Sequence, residues 1–418
     1  MRSVRVAIFP GISLLIACGL VAGAWPLAAS PDGAGGPGPV RAPSSAGEKD
    51  LKSSVDAIIK EAMTSHRIAS MVAAVAQNGK TVFQKAYGHD PLYTFAENSP
   101  SSGYALGPAS KVLTGGAILL LVNDGKVGLD DPVSKYLPEV PESWRPITIS
   151  QLLAHKSGLP AFPKDAKTFS EAVAAMGKQP LRFKPGSARS ENSADFDVLG
   201  QVVEKASGEP YLKYMDRTVF KQLKFVDTGD YAKLLFRFVA PQDFSFSTTS
   251  STQGDMRVAG QENASAMSGR GADPITQAKT IDLLYRGMPR YSIPSKGLAS
   301  NMQDILRLAT AIMEPKSSSL FAHPDYLSMA PGWKPCDTGK ETMLSVAGLV
   351  SEGYGINLTV LPGRRTVLVL LWKMEKGSEA SILHDESQDI LETALSIPVS
   401  SWVCTSQVDE TGDDDDQP

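Results

Sequence analysis

Cysteine, histidine and basic residues are all scarce in this chain of 418 residues. It contains three cysteines and five histidines, no two histidines lie three or four positions apart, and no Cys-x-x-Cys pair occurs. Zinc sites normally need such spacings, so the sequence predicts no metal site, and it points to no cofactor. The 41 lysines and arginines are outnumbered by 45 acidic residues, and no basic cluster stands out. This argues against a nucleic-acid-binding protein.

The composition excludes several other classes and divides the chain into four parts. At 42% hydrophobic and 21% charged, it is that of a globular protein and not of collagen, a coiled coil or a fully disordered chain. Residues 1–29 have the pattern of an export signal, and residues 30–50 are rich in Gly, Pro, Ala and Ser and predict a flexible linker. Residues 51–404 form the body. Residues 405–418 are acidic and predict a disordered, solvated end, with binding to a cationic partner as the alternative.

The leader allows two kinds of processing. Arg2 and Arg5 precede the apolar run 12–21, which is too short to span a bilayer comfortably. Residues 22–24, Ala-Gly-Ala, suit an ordinary signal peptidase, whereas residues 15–18, Leu-Ile-Ala-Cys, resemble a bacterial lipoprotein box in which Cys18 would be lipidated. The second interpretation is slightly favoured. The body is expected in the periplasm or cell envelope, with membrane contact only through the leader or a lipid on Cys18.

An oxidising compartment would let the remaining two cysteines pair. Cys336 and Cys404 are expected to form a disulfide that joins the C-terminal end to a loop. The alternative is two unpaired buried thiols.

Hydrophobic periodicity predicts helices in the middle of the body and strands towards both ends. Strand-like runs 71–77 and 81–87 flank Asn78-Gly79, a strong hairpin signal, and runs 355–360 and 366–372 flank Pro362-Gly363. Helices are predicted over 51–67, 108–122, 198–206, 302–313 and 386–395. The predicted fold class is therefore α+β, an antiparallel sheet flanked by helices with an inserted, mainly helical region.

Several motif-like segments follow one another along the body, namely Tyr104–Lys111, Leu119–Pro138, Thr148–Pro160, Pro185-Gly186, Leu199-Gly200, Phe220–Thr228 and Gly297–Ser300. In this order and spacing they resemble the serine β-lactamase and D-alanyl-D-alanine carboxypeptidase family of the class C, or penicillin-binding-protein-like, type. The resemblance implies a β-lactamase/transpeptidase-like fold. It also implies amide or ester hydrolysis of a peptide or β-lactam-like substrate, through a serine that is acylated while a lysine and a tyrosine transfer protons.

The first motif of this family is a serine followed three residues later by a lysine. Lys111 matches the lysine, and Pro108 stands where the serine is expected. Proline is well suited to the start of a helix, so the fold is not disturbed. It supplies neither an attacking oxygen nor the backbone N–H that the family uses in its oxyanion hole.

The other two motifs are also degenerate. Against the family's Tyr-x-Asn, Glu191, Asn192 and Ser193 align without a gap, and a shifted alignment puts Ser190 at the tyrosine, so no tyrosine is present in either register. Glu191 is expected to form a structural ion pair with Lys111, with proton exchange as the alternative. The third motif, a His or Lys, a small residue and Gly, retains only Gly348. Gly348 and Asn192 remain candidate binding residues.

Three hypotheses follow. The leading one is an exported, inactive member that binds a ligand or partner through the old cleft, such as a peptidoglycan-like peptide or an envelope protein. The second is a serine hydrolase with a relocated nucleophile, Ser110 or Ser102, assisted by Lys111 or Glu191. The third is a structural envelope protein. His155 is expected to bond to the backbone around it, and Trp372 to pack in the core.

Overall fold

The computed structural model describes residues 45–90, 97–163, 165–231, 289–314, 319–337, 341–350, 353–375, 378, 383–399 and 403–404. The predicted export leader, Cys18, most of the predicted linker and the acidic tail lie outside these residues.

Helices and strands alternate in a pattern typical of an α+β protein. The helices are α1 (Ser45–Ser65), α2 (Ser110–Asn123), α3 (Ile149–Leu153), α4 (Phe169–Met176), α5 (Ser193–Ser207), α6 (Tyr211–Met215), α7 (Ile293–Lys296), α8 (Met302–Met313), α9 (Tyr326–Met329) and α10 (His384–Asp389). The strands are β1 (Ile68–Gln77), β2 (Lys80–Gly88), β3 (Tyr104–Ala105), β4 (Gly229–Asp230), β5 (Leu298–Ser300), β6 (Lys334–Asp337), β7 (Thr342–Leu349), β8 (Tyr354–Leu361), β9 (Thr366–Met374) and β10 (Val403–Cys404).

Seven strands form one antiparallel sheet in the order β10-β6-β7-β8-β9-β1-β2. Because β1 pairs with β9, the two ends of the body complete the same sheet, which confirms the predicted architecture. Asn78 and Gly79 both have positive φ, 51° and 75°, which is the conformation that a tight hairpin turn requires.

The sheet is covered on both faces, because alternate residues of its central strands point to opposite sides. Val367, Val369 and Leu371 of β9 join the larger core with α2, α5 and α8, whereas Leu368 and Leu370 pack with α1 and the C-terminal residues 390–399. This explains why β9 is a continuous apolar run rather than an alternating one.

The structure corrects several boundaries. α1 begins at Ser45, inside the segment predicted as a linker, and the last helix begins at His384. Cys336 and Cys404 form a disulfide, but Cys336 lies in β6, so the bridge joins two paired strands and not the C-terminal end to a loop. β10 has two residues and β6 has four, too short for periodicity to reveal. A second sheet, in the order β3-β5-β4, was not predicted for the same reason.

Candidate active site

A short turn carries the position at which the serine nucleophile was expected. Residues Gly107–Ala109 form a 3₁₀ turn that leads into α2, and all three are buried. Gly107 takes a left-handed conformation with φ of 46°. Pro108 presets the backbone for this turn and needs no donor there. The family's fold therefore persists at a position that has lost its hydroxyl and its N–H.

The ring of Pro108 is covered by strand β7. A Cβ added at Gly348 would lie 2.4 Å from Cγ and 3.0 Å from Cδ of Pro108. Only glycine fits such a close approach. Gly348, predicted as a binding residue from the third motif, is thus buried against the proline.

Lys111 is buried in the first turn of α2 and reaches Glu191. Its side chain is 1% exposed, and Nζ donates to Oε1 of Glu191 at 2.9 Å, whereas the Glu191 side chain is 26% exposed. The backbone of Gly332 packs closely against Lys111, since a Cβ added at position 332 would lie 2.7 Å from Cβ of the lysine. The ion pair is therefore one buried cation joined to a partly exposed carboxylate.

The pKa of Glu191 reflects two opposing effects. Burial raises it, but the charge and hydrogen bond of Lys111, together with the charge of Arg189, outweigh burial and lower the pKa to about 2. Glu191 is thus ionised at neutral pH. Because an ionised, paired carboxylate is a poor proton donor, the geometry favours a structural pair over the proton transfer that the family assigns to tyrosine.

The residues on either side of Glu191 are held by the loop that follows α3. The Ser190 N–H donates to the carbonyl of His155 at 2.9 Å. The Asn192 N–H donates to Nδ1 of His155 at 3.3 Å, and its side-chain amide donates to the carbonyl of Leu159 at 2.7 Å. Asn192 also caps α5 by accepting from the Ala194 N–H at 3.0 Å. Its side chain is therefore engaged with backbone groups, and Ser193 is simply the first residue of α5.

Beneath this loop lies a buried polar cluster of His155, Ser157 and Asp195. His155 Nδ1 is 2.9 Å from Oδ2 of Asp195, and Ser157 donates to Oδ1 of the same carboxylate. Burial raises the pKa of Asp195, against the opposing effect of these two partners. His155 is 1% exposed, and its Nε2 has no hydrogen-bond partner in the described part of the chain. Its contacts are those of a residue that holds the loop and α5 together.

Both alternative nucleophiles make structural hydrogen bonds. Ser110 is fully buried, and its Oγ accepts from the Leu298 N–H at 3.1 Å, which ties α2 to β5. Ser102 is 4% exposed, and its Oγ accepts from the Ser99 N–H at 3.1 Å. Neither hydroxyl is presented to a substrate in this conformation.

One residue beside the site, Arg189, was not predicted from the sequence. Arg189 donates to the carbonyl of Trp333 at 2.6 Å, and burial lowers its pKa. Its position two residues before Glu191 was the only signal in the sequence. Trp372, by contrast, packs on Gly355, where an added Cβ would lie 2.1 Å from its ring, so it fills the core as expected.

The described residues contain no group of three or more His, Cys, Asp or Glu side chains arranged to hold a metal ion. Within the same residues, no helix is both long and apolar enough to cross a membrane.

Comparison with known proteins places this geometry in a family. The family model described as Beta-lactamase matches residues 55–390, and the chain belongs to that family. Among solved structures, the octameric penicillin-binding protein homologue from Pyrococcus abyssi superimposes with a TM-score of 0.63 at 18% identity, covering 84% of this chain and 79% of the other. A class C beta-lactamase gives 0.60 at 18% identity, covering 84% and 96%. These likenesses confirm the predicted β-lactamase/transpeptidase-like fold.

Curated relatives match a smaller part of the chain. A Staphylococcus aureus protein named Teichoic acid D-alanine hydrolase is 30% identical over 178 residues, which is 42% of this chain and 45% of the relative. Protein flp of Staphylococcus aureus is 29% identical over 191 residues, which is 43% and 38%. The chain thus spans less than half the length of these relatives.

Proposed function

We propose that this protein is an inactive member of the Beta-lactamase family that binds a ligand or a partner protein non-covalently at the site around Pro108, where the family has its catalytic cleft. One observation carries the proposal: the nucleophile position is a buried proline whose ring packs on Gly348. Acyl-enzyme chemistry requires an oxygen or sulfur at the reacting centre. Losing one oxyanion-hole donor alone costs about 10²- to 10³-fold in other enzymes.

The ion pair supports the same proposal. Lys111 would need to accept a proton from a nucleophile, but it is held 2.9 Å from an ionised Glu191. Because this contact engages Nζ of the lysine as a hydrogen-bond donor, it opposes a role as general base. A peptidoglycan-like peptide or an envelope protein is the ligand class that the family resemblance favours.

The competing function is hydrolysis through a relocated serine, the activity class in the name of the Staphylococcus aureus relative. The test is intact-mass spectrometry after incubation with a penicillin and, separately, with a fluorophosphonate. We expect no adduct on the natural chain. Two matched variants, Pro108→Ser and Pro108→Ser/Glu191→Tyr, restore the serine and the tyrosine that the family has at these positions. A stoichiometric adduct on the natural chain, mapped to Ser110 or Ser102, would overturn the proposal.

Export is the second part of the proposal. The disulfide between Cys336 and Cys404 supports an oxidising compartment, since such bonds are rare in the cytosol. We expect a cell fractionation to find the protein in the envelope and a clickable fatty acid to label it at Cys18. Labelling that persists in Cys18→Ser, or protein recovered only from the cytosol, would contradict this part. The third hypothesis, a structural envelope protein, predicts neither an adduct with the two probes nor a ligand bound at the site around Pro108.

A further inference from the structure

A buried acid lies where α5 packs against α7. Asp197 is in the second turn of α5, and it is 1% exposed. At the same joint, Gly200 meets the ring of Pro294, and an added Cβ at position 200 would lie 2.1 Å from Cγ of that proline. The two helices are therefore so close that even a methyl group would not fit between them.

One oxygen of this acid has no hydrogen-bond partner among the described residues. Oδ1 of Asp197 is buried without a hydrogen bond in the part of the chain that the structure describes. An ionised carboxylate there would carry charge on an unsolvated, unpaired oxygen, which is costly, whereas a protonated carboxyl is neutral. Burial raises the pKa of Asp197 to about 7, although Ser295, Lys296 and Lys111 oppose this shift.

The surroundings compensate a negative charge only in part. Hydrogen bonds from the side chain and the backbone of Ser295, and the charges of Lys296 and Lys111, favour the ionised form, but Lys111 already pairs with Glu191. Tyr211 of α6 and Tyr291, in the turn before α7, also face Asp197, and burial raises the pKa of both, so they remain neutral. Residues 149–153 of α3 include no titratable side chain, and Asp195 on α5 itself is another acid.

We propose that Asp197 makes the joint between α5 and α7 depend on a proton: protonated, it lets the helices pack as described, and ionised, it weakens that packing. The folded chain keeps a proton that the unfolded chain loses above its ordinary pKa of 3.8. Stability therefore falls as pH rises from about 4 to about 7, and the penalty is complete above that range. α5 begins next to Glu191, and α2 carries Lys111. Weaker packing between α5 and α7 is therefore expected to alter the support of the candidate site.

Infrared difference spectroscopy tests the protonation directly. Spectra of the full chain at about pH 5 and about pH 9 should show the carbonyl band of a protonated carboxyl disappearing. The band change should be reduced in Asp197→Asn and retained in Glu139→Gln, a matched change at an exposed acid. Identical band changes in all three proteins would overturn the proposal.

Thermal unfolding tests the consequence. Between about pH 5 and about pH 8, the melting temperature of the natural chain should fall by about 5 °C more than that of Asp197→Asn. Hydrogen exchange, corrected for its intrinsic pH dependence, should rise in α5 and α7 but not in α8. Parallel melting curves or uniform exchange would contradict the proposal. If the Asn variant does not fold, Asp197→Ser is held to the same expectations.

Discussion

The two halves of the candidate site are held by different forces. On one side, the ring of Pro108 packs on Gly348, and shape alone decides what fits there. On the other side, Lys111 and Glu191 are held by charge at 2.9 Å, and the His155 loop fixes the residues around the carboxylate. Where the family has its nucleophile this chain has an apolar contact, whereas where the family has its tyrosine this chain has an ion pair that the buried lysine requires.

Breaking the ionic half of the site, which is the pair of Lys111 and Glu191, should have the largest effect. Glu191→Ala leaves Lys111 buried without its carboxylate, and we expect a loss of about 3 to 5 kcal/mol in the free energy of unfolding, measured with urea near neutral pH. Glu142→Ala is the control, because Glu142 is 90% exposed in its pair with Arg145 and should cost less than about 1 kcal/mol. Equal losses in the two variants would show that the buried ion pair stabilises the fold no more than the exposed ion pair does. Lys111→Met/Glu191→Leu should recover part of the stability.

Acid should weaken the ionic half in the natural chain. The pKa of Glu191 is lowered from 4.5 to about 2 in the folded state, so its contribution is present above pH 4.5 and is lost as pH falls towards 2. We expect this loss to reach about 3 kcal/mol at most. Urea unfolding across that range should show a steeper pH dependence for the natural chain than for Glu191→Gln. An equal pH dependence in the two proteins would show that ionisation of Glu191 does not stabilise the fold.

Breaking the apolar half should have a smaller effect. Gly348→Ala places a methyl group against the ring of Pro108 and should cost about 2 kcal/mol in the free energy of unfolding. Gly363→Ala is the matched control, since no atom of the described residues lies within 4 Å of the added carbon. In a Pro108→Ala background, the cost of Gly348→Ala should shrink. Additive effects of the two changes would contradict direct contact.

Loosening the support of Glu191 should have the smallest effect. Asn192→Ala removes the cap of α5 and the bond to the Leu159 carbonyl, for an expected loss of about 1 kcal/mol. Asn192→Asp keeps the cap acceptor but removes the amide donor, so it should lie between the natural chain and the alanine variant. Thermal unfolding measures both. An aspartate variant no better than alanine would assign the effect to the Leu159 bond alone.

Much of the scaffold could be predicted because its signals are local. The Asn78-Gly79 turn, the apolar run of β9 and helix α8 each show in consecutive residues, and α8 has the predicted bounds Met302–Met313. β10, with two residues, gave no signal because its pairing with β6 depends on chain segments far apart in sequence. The disulfide partner strand was missed for that reason.

Some residues of the candidate site could likewise be predicted from the sequence, and others could not. Pro108, Lys111 and Glu191 were found by counting along motifs, since residue identity is enough to show a missing hydroxyl. Arg189 and the close approach of Gly332 to Lys111 were not found, because neither belongs to a motif. The oxygen of Asp197 that lacks a hydrogen-bond partner within the described ranges could not be predicted either, since its burial arises only where α5 meets α7.

The family resemblance, the α+β fold class and the absence of a serine at position 108 could be read from the amino-acid sequence alone. Those properties reside in residue types and their spacing. The folded chain was needed to show that Gly348 covers the proline, that Lys111 forms an ion pair with Glu191 at 2.9 Å, and that a buried oxygen of Asp197 has no hydrogen-bond partner in the part of the chain that is described. Burial, contact and charge pairing depend on distances between remote segments, and the folded chain alone sets those distances.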